Sequence, residues 1–316
     1  MKVSRHNTKA GRPVSDHDRA VAALDLASPA GGVRPGIPRL IHQTAWKPAA
    51  MLQLLRENVA ALIRRNPGWT HCLYGDEDIE DFIGEQYGSA MLSQYLLIDS
   101  RYGAARADLF RYLLMYKRGG VYLDIKSSAG RPLEDVLQAD DCYLLSHWQN
   151  GPGAPFQGIG LHRALGHIPG GEYQQWFIVA APGHPFLKQV ILRVLENIDN
   201  YPRGLFGVGR KGVVAVTGPI AYTLAIHPLI GMHPSRQIDI CADAGFQYNV
   251  SGRQHEQTIA GAPVHYSRLR APVVRLSKLW VVPWFLLLMS RKSLALSCRV
   301  LRRLLRYSSH VRVDLC

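Results

Sequence analysis

Residues 106–126 read RADLFRYLLMYKRGGVYLDIK and contain the turn from helix to strand around which the fold is predicted to form. Over residues 105–118 the apolar side chains recur at helical spacing and define one continuous face. Gly119 and Gly120 end this helix, because glycine accepts the left-handed conformation that other residues resist. Residues 121–125 then alternate in the manner of a strand. A helix followed directly by a strand is therefore predicted here.

Polar side chains lie at the end of this strand and on the preceding helix. Strand alternation places Asp124 on the same face as Tyr122 and Lys126. In open α/β sheets ligands bind outside the carboxyl ends of strands, so Asp124 is a candidate substrate contact. Asp108 and Arg111 lie one helical turn apart and offer acceptors and donors that suit a polyol. The sequence thus predicts a polar binding site in this stretch.

Outward from this stretch, strands and helices are predicted to alternate. Residues 37–44 read as a strand that begins near Pro38, where the missing N–H is tolerable. Residues 51–65 have the helical apolar spacing, and a second strand over 69–74 leads into a helix capped by Asp76. Further predicted elements are a strand at 176–180, a helix at 185–200 and a helix that begins at 217–219. This alternation predicts an α/β fold with helices on both faces of a sheet.

The composition indicates one globular domain with short appendages. The chain has 316 residues, 47% of them hydrophobic, which is enough for one substantial core. The formal net charge of +13 predicts attraction to anions, whether nucleic acid, lipid head groups or a phosphate-bearing substrate. The 5 cysteines are scattered, so neither a disulfide framework nor a zinc site is predicted and a reducing compartment is favoured. The polar start lacks a signal sequence, so a cytoplasmic location is expected.

The two ends of the chain differ in composition from the middle. Residues 1–36 mix charge, Gly and Pro, and are predicted to be a flexible N-terminal arm, followed by the catalytic domain over 37–270. Residues 271–316 contain an apolar run at 279–289, too short to span a bilayer, followed by a series of basic residues. This segment is predicted either to lie on a membrane surface or to be an ordinary core helix. The anchors expected at the head groups are Trp280, Trp284 and Phe285.

Several segments together resemble glycosyltransferase family 32. They are IPRLIHQT at 37–44, NPGW at 66–69, RADLFRY at 106–112, YKRGGVYLDIK at 116–126, QWF at 175–177 and TGP at 217–219. The resemblance implies a GT-A-type, Rossmann-like nucleotide-sugar-binding domain with a mixed central sheet, to which a C-terminal helical extension is added. It also implies a nucleotide-sugar donor and retention of the anomeric configuration.

The resemblance assigns roles to particular residues. Asp108 and Arg111 look like the donor-sugar contacts and Asp124 like the first acid of an Asp-x-Asp motif, so these three are the expected catalytic residues. Lys126 stands where the second acid is usual. One expectation is Mn²⁺ or Mg²⁺ bound by Asp124 with help from His265, and the other is that Lys126 itself neutralises the diphosphate. The residues expected to bind the donor are His42, Gln43, Thr44, Trp46, Arg106, Tyr122 and Lys126.

The same residues also have plainer interpretations. Asp108 and Arg111 have the spacing of an ion pair on a helix surface. Asp124 has the chemistry to cap the turn that follows it at residues 127–128. A lone histidine such as His265 is more often structural than a metal ligand.

The sequence therefore predicts a retaining hexosyltransferase that moves a sugar from a nucleotide-sugar donor to a glycan or lipid-linked acceptor. Synthesis of a bacterial surface polysaccharide is expected, with peripheral attachment to the anionic inner membrane face through the basic tail. The alternative is a sugar-nucleotide or glycan-binding protein that lost catalysis with the second acid. No nucleic-acid partner is expected, because the basic residues cluster at the ends without aromatic interleaving.

Overall fold

A six-stranded sheet forms the centre of the protein. The structure, a computed structural model, describes residues 14–27, 33–45, 48–204, 206–250 and 265–276, and positions 283, 284, 286 and 289. Its strands are β1 (Leu40–Thr44), β2 (Thr70–Tyr74), β3 (Gly120–Leu123), β4 (Ser128–Ala129), β5 (Tyr143–Leu145), β6 (Phe177–Ala180), β7 (Arg236–Gln237) and β8 (Phe246–Gln247). The central sheet has the order β2-β1-β3-β6-β5-β7, while β4 and β8 pair separately.

The strand directions place the carboxyl ends of four strands at one edge of the sheet. Strand β1 is parallel to β2 and β3, β6 is antiparallel to β3 and β5, and β5 is parallel to β7. The carboxyl ends of β1, β3, β5 and β7 therefore lie at the same edge as the start of β6. The sequence-based prediction of an α/β fold with a mixed sheet is confirmed.

Helices cover both faces of this sheet. They are α1 (Asp16–Leu26), α2 (Gln53–Arg65), α3 (Asp76–Leu97), α4 (Gly103–Arg118), α5 (Pro185–Asp199), α6 (Tyr201–Gly204), α7 (Gly209–Val216) and α8 (Pro219–Ile226). Helix α3 is broken at Gly88, which has a φ of 80°. Its N-cap is Gly75 rather than Asp76, because the Asp78 carboxylate accepts the Gly75 N–H at 2.8 Å.

The glycine pair between α4 and β3 makes the approach of helix and strand possible. Gly119 and Gly120 have φ values of 63° and 101°, a region that favours glycine. A Cβ on Gly120 would lie 2.6 Å from the Leu40 carbonyl oxygen, and one on Gly119 would lie 2.6 Å from Pro182. The predicted helix stop is confirmed, and it places β3 directly beside β1.

The flexible arm predicted for residues 1–36 is wrong for the part that forms helix α1. Ser15 and Asp18 cap this helix reciprocally, with the Asp18 N–H donating to Ser15 Oγ at 3.1 Å. Ala20 and Leu24 are fully buried in the same core cluster as residues of α3. Burial of this apolar stripe stabilises the helix against the body of the protein.

The domain boundary predicted at residue 270 is also wrong. Residues 271–276 form a strap whose backbone pairs with the connection between α3 and α4: the Asp99 N–H donates to the Val273 carbonyl at 2.9 Å. Val273 is fully buried, and so is Trp284, whose ring stacks on Tyr201 at 5.9 Å between centroids. Trp284 is therefore a core residue and not a head-group anchor.

The other parts of the predicted membrane segment, including Trp280, Phe285 and residues 291–316, lie outside the described residues. Among the residues that are described, one helical stretch, Gly209–Leu229, has the length and composition to cross a membrane. More than half of its most apolar window is buried inside the protein, as is typical of a core helix.

Candidate active site

Three charged residues meet at the edge of the sheet where β1 and β3 end. Arg111 of α4 donates to Asp108 Oδ1 at 3.2 Å and to Asp124 Oδ1 at 3.1 Å. Asp124 follows β3 directly, since the strand ends at Leu123 and not at residue 125 as predicted. The side chains of Arg111 and Asp108 are 6% and 5% exposed, whereas that of Asp124 is 24% exposed. The interpretation of Asp108 and Arg111 as a surface ion pair is therefore wrong, and we call these three residues the charged triad.

Asp108 is held by more than its ion pair. Its Oδ2 accepts the Thr217 hydroxyl at 2.9 Å and its Oδ1 accepts the Gln175 amide at 3.2 Å. Burial raises the pKa of Asp108 to about 6, although Arg111 and the hydrogen bonds from Thr217 and Gln175 act in the opposite direction. The carboxyl is thus ionised at neutral pH and takes up a proton in mildly acidic solution.

Two predicted donor residues connect the charged triad to β1. The Thr44 hydroxyl lies 3.0 Å from the Tyr122 hydroxyl, which in turn lies 3.5 Å from Asp124 Oδ1. The Arg111 guanidinium lies 4.8 Å above the centre of the Tyr122 ring. Burial raises the pKa of Tyr122, so its hydroxyl stays protonated and able to donate. The structure thus brings Thr44 and Tyr122 together with all three residues predicted to be catalytic.

His42 and Gln43, two of the residues predicted to bind the donor, are both fully buried. His42 Nε2 donates to the Gly119 carbonyl at 3.1 Å, and its Nδ1 lies 3.2 Å from the Tyr74 hydroxyl. Burial lowers the pKa of His42 to about 4, so the ring is neutral. Gln43 instead lies 3.4 Å from the Asp124 carbonyl oxygen and supports the loop at that residue. Both residues hold the strand ends in place beneath the site.

A cavity of about 300 Å³ adjoins the charged triad. Thr44, Ala45 and Ala107 contribute to its wall, together with Arg106. Arg106 is fixed there by the Ile98 carbonyl at 3.1 Å and by stacking on the Tyr95 ring, and it lies 3.5 Å from Glu80. The predicted donor residue Trp46 lies outside the described residues, although its neighbour Ala45 lines this cavity.

The two predicted metal ligands are Asp124 and His265. His265 lines the same cavity, and its Nδ1 lies 2.8 Å from the Ser267 hydroxyl at the start of a short helical turn. The described part of the chain has no group of three or more His, Cys, Asp or Glu side chains that could hold a metal ion. Magnesium and manganese commonly use only one or two protein carboxylates beside substrate phosphates. The exposed part of the Asp124 carboxylate fits that more limited role.

Lys126 packs on an aromatic ring. Its ammonium lies 4.7 Å from the centre of the Tyr248 ring and 3.4 Å from the Tyr248 hydroxyl. A cation in this position is attracted by the electron-rich face of the ring. The position usual for a second acid therefore carries a positive charge near the sheet edge.

Three residues of this site had no predicted role. Gln175 donates to Asp108 and accepts from the Tyr112 hydroxyl at 2.8 Å, and its carbonyl accepts from Arg111 at 2.8 Å. The Tyr112 hydroxyl also lies 2.9 Å from the Thr217 carbonyl. Gln175 and Thr217 belong to the QWF and TGP segments. The sequence feature that could have indicated a role for them is their position just before a buried strand and a helix. Only the tertiary structure shows that both residues face Asp108.

The site described above lies largely within a recognised glycosyltransferase region. Residues 53–143 match the family described as "Glycosyltransferase sugar-binding region containing DXD motif". The matched stretch contains Asp108, Arg111 and Asp124. The predicted resemblance to glycosyltransferase family 32 is thereby confirmed over these residues.

Similar proteins carry related descriptions. The chain is 36% identical over 166 residues to "Inositol phosphoceramide mannosyltransferase 3" of Schizosaccharomyces pombe, covering 52% of this chain and 39% of that protein. It is 24% identical over 200 residues to "Initiation-specific alpha-1,6-mannosyltransferase" of the same organism, covering 60% and 48%. The chain thus spans less than half the length of these relatives. Among solved structures, "PaToxG Glycosyltransferase" is similar with a TM-score of 0.45 and 15% identity, over 68% of this chain and 76% of that one.

Proposed function

We propose that the protein is a GT-A-type glycosyltransferase that moves a mannosyl group from a nucleoside diphosphate sugar to a hydroxyl of a polyol acceptor. The observation that carries this proposal is the charged triad, which combines acceptors and donors for sugar hydroxyls beside a cavity large enough for a nucleoside. The mannosyl group is taken from the names of the fungal relatives. Retention of configuration is implied by the family resemblance.

The proposed donor lies across the edge of the sheet. Its nucleoside occupies the cavity beside Thr44 and Arg106, and its sugar contacts Asp108 and Arg111. Arg111 has five N–H donors in a rigid fork. Its bonds to both carboxylates and to the carbonyls of Ala107 and Gln175 use four of them, which leaves one for a sugar hydroxyl. In the transfer, the acceptor oxygen bonds to the anomeric carbon as the bond to the diphosphate breaks. The electron pair of the broken bond stays on the diphosphate oxygen. The proton of the acceptor hydroxyl passes to that diphosphate oxygen or to solvent.

The leaving diphosphate needs positive charge nearby. We propose that Asp124 holds Mn²⁺ or Mg²⁺ together with the donor phosphates, with His265 as a second candidate ligand. Such an ion supplies electrostatic stabilisation of the leaving group. Lys126 is the chain's own alternative source of that charge, because it lies just beyond Asp124 and is held by a neutral aromatic ring.

The acceptor is proposed from its chemistry. One relative's name refers to inositol phosphoceramide and the other's to α-1,6-mannosyl transfer. Inositol and mannose are both rings with vicinal hydroxyls. We propose an acceptor of that class, either a glycolipid head group or a glycan. The reported relatives are fungal and give no support to the bacterial surface polysaccharide predicted from the sequence. Attachment to an anionic membrane surface and a cytoplasmic location stay predictions.

The test is hydrolysis and transfer with a panel of guanosine and uridine diphosphate sugars, in Mn²⁺ and in a chelator. We expect release of nucleoside diphosphate from one mannosyl donor, abolished by the chelator and restored by Mn²⁺. Chelator-resistant activity that Lys126→Met removes, while the matched variant Lys117→Met keeps it, would assign the charge to Lys126. Binding of a donor without any turnover would instead support the sugar-nucleotide-binding alternative and reject the transferase.

A further inference from the structure

A second cavity, of about 400 Å³, lies at the same sheet edge as the charged triad. His147, Trp148 and Gln149 follow the carboxyl end of β5, and Asp239 follows that of β7. Both strands run in the same direction as β3, so this cavity and Asp124 share one edge. In α/β proteins ligands bind along that edge, outside the carboxyl ends of strands. Its size is within the range of small-molecule pockets.

The walls of this cavity carry polar groups that suit hydroxyls. His147 Nδ1 donates to the Glu172 carbonyl at 3.1 Å, and burial lowers the pKa of His147, so the ring is neutral and its Nε2 is an acceptor. Gln149 donates its amide to Asp239, which fixes the plane of the carboxamide. The Trp148 indole N–H donates to the Glu172 carboxylate at 2.7 Å, which fixes the orientation of the ring. An aromatic ring beside planar acceptors is a combination that binds polyols.

Two aromatic rings lie between Lys126 and the second cavity. The Lys126 ammonium lies over the Tyr248 ring, and that ring lies 5.1 Å from Trp148, a residue of the cavity wall, in an edge-to-face arrangement. Trp148 and Tyr248 thus relate the second cavity to the loop that follows Asp124. The two sites are separated by β6, so the distance between them is about two strand spacings, or roughly 10 Å.

Buried polar atoms without partners lie between the two cavities. The Gln174 carboxamide donates to the His147 carbonyl at 3.2 Å, but its Oε1 has no hydrogen-bond partner among the described residues. The same holds, within those residues, for the indole nitrogen of Trp176. The Trp176 carbonyl accepts the Asp124 N–H at 2.8 Å, so this position lies immediately beside the charged triad. Unsatisfied buried polar atoms often mark places where a ligand completes the hydrogen bonding.

We propose that the second cavity binds the acceptor, holding a polyol ring, such as a sugar or inositol unit, so that a hydroxyl extends toward Asp124. This inference rests on the proposed function, because it assigns the other substrate of the same transfer. The shared chemistry is a ring with vicinal hydroxyls, presented either by a mannose glycan or by an inositol phosphate head group.

The experiment measures binding separately from turnover. The full chain, saturated with nucleoside diphosphate, is titrated by calorimetry with α-1,6-mannotriose and with myo-inositol 1-phosphate. We expect one of the two probes to bind and Gln149→Met to weaken that binding by about tenfold, as expected for a lost hydrogen bond. The probe that binds identifies the acceptor source. Donor hydrolysis by Gln149→Met should stay within about twofold of wild type, because Gln149 is remote from the donor site.

Gln86→Met on helix α3 is the matched control and should bind like the wild type. If Gln149→Met fails to fold, Asp239→Asn removes the carboxylate that orients the same amide. Equal binding by wild type and both cavity variants, or no binding of either probe, would overturn the acceptor assignment. Donor hydrolysis in the same preparations reports on the proposed function, so the two failures are distinguishable.

Discussion

The two ends of one sheet edge are built in different ways. At the β1–β3 end, buried ionic groups from α4 and β3 hold one another, and Thr217 and Gln175 complete their hydrogen bonds. At the β5–β7 end, polar groups from two loops, carboxylates among them, line a cavity. Because buried charges depend on their partners, loss of the buried Arg111 or Asp108 should disturb stability as well as activity. A change at the second end should affect ligand binding alone.

Arg111→Met is the change expected to have the largest effect. It leaves Asp108 and Asp124 facing each other without their shared cation, which should reduce stability by about 3–5 kcal/mol and activity by a factor of about 10³ or more. The side chain of Arg111 is only 6% exposed, so the carboxylates that lose it stay largely out of water. Urea unfolding and donor hydrolysis measure the two effects. An unchanged unfolding free energy would show that the charged triad does not support the fold.

Asp124→Asn should separate activity from stability. The substitution keeps the shape but removes the carboxylate charge, so we expect activity to fall by a factor of about 10²–10³. Its side chain is 24% exposed, so the midpoint of unfolding should change little. Asp135→Asn makes the same chemical change at an exposed position and should keep full activity. Near-normal turnover by Asp124→Asn would refute its assignment to the donor site.

Thr217→Val should produce the smallest effect, a shift in pH dependence. The pKa of Asp108 is about 6, so donor turnover should fall as pH drops through that value and the carboxyl becomes protonated. The Thr217 hydroxyl stabilises the ionised form, and its loss should move this acidic limb to higher pH by about one unit. The rate profile of kcat/KM against pH measures the shift. An unmoved limb would mean that another group controls it.

The raised pKa of Asp108 also makes the free energy of unfolding depend on pH. The folded state binds this proton more tightly than an unfolded chain with the ordinary value of 3.8. The contribution is therefore present below that value and is lost as pH rises through about 6. Between pH 6 and pH 3.8, proton uptake by Asp108 should therefore partly offset the loss of stability that acid causes elsewhere in the protein. Asp108→Asn should remove this part of the pH dependence.

The donor end could be predicted because its signals are local. The charge spacing of Asp108 and Arg111, the glycine stop and the alternation before Asp124 all fall within one helix and one strand, whose bounds the periodicity gives to within a few residues. The matched family region contains the same residues. What periodicity cannot give is burial, so the near-complete enclosure of Arg111 appears only in the structure.

The acceptor end could not be predicted, because it depends on packing between distant segments. Strand β5 has three residues and β7 has two, too few for a pattern to be read. Helix α1 and the strap at 271–276 were missed for a related reason: their compositions are mixed, and the partners that bury Leu24 and Val273 are far away in sequence. Charge and glycine content describe such segments poorly once tertiary contacts form.

The strap at 271–276 also has a consequence for biosynthesis. It is made late, yet its backbone holds the connection at Asp99, and the Tyr102 hydroxyl at the start of α4 donates to the Ala271 carbonyl. During translation, domains fold as units while the chain emerges from the ribosome. The helix that carries Asp108 and Arg111 therefore lacks one of its end supports until the strap has been synthesised. A nascent chain halted before residue 271 should expose this region to chaperones and proteases.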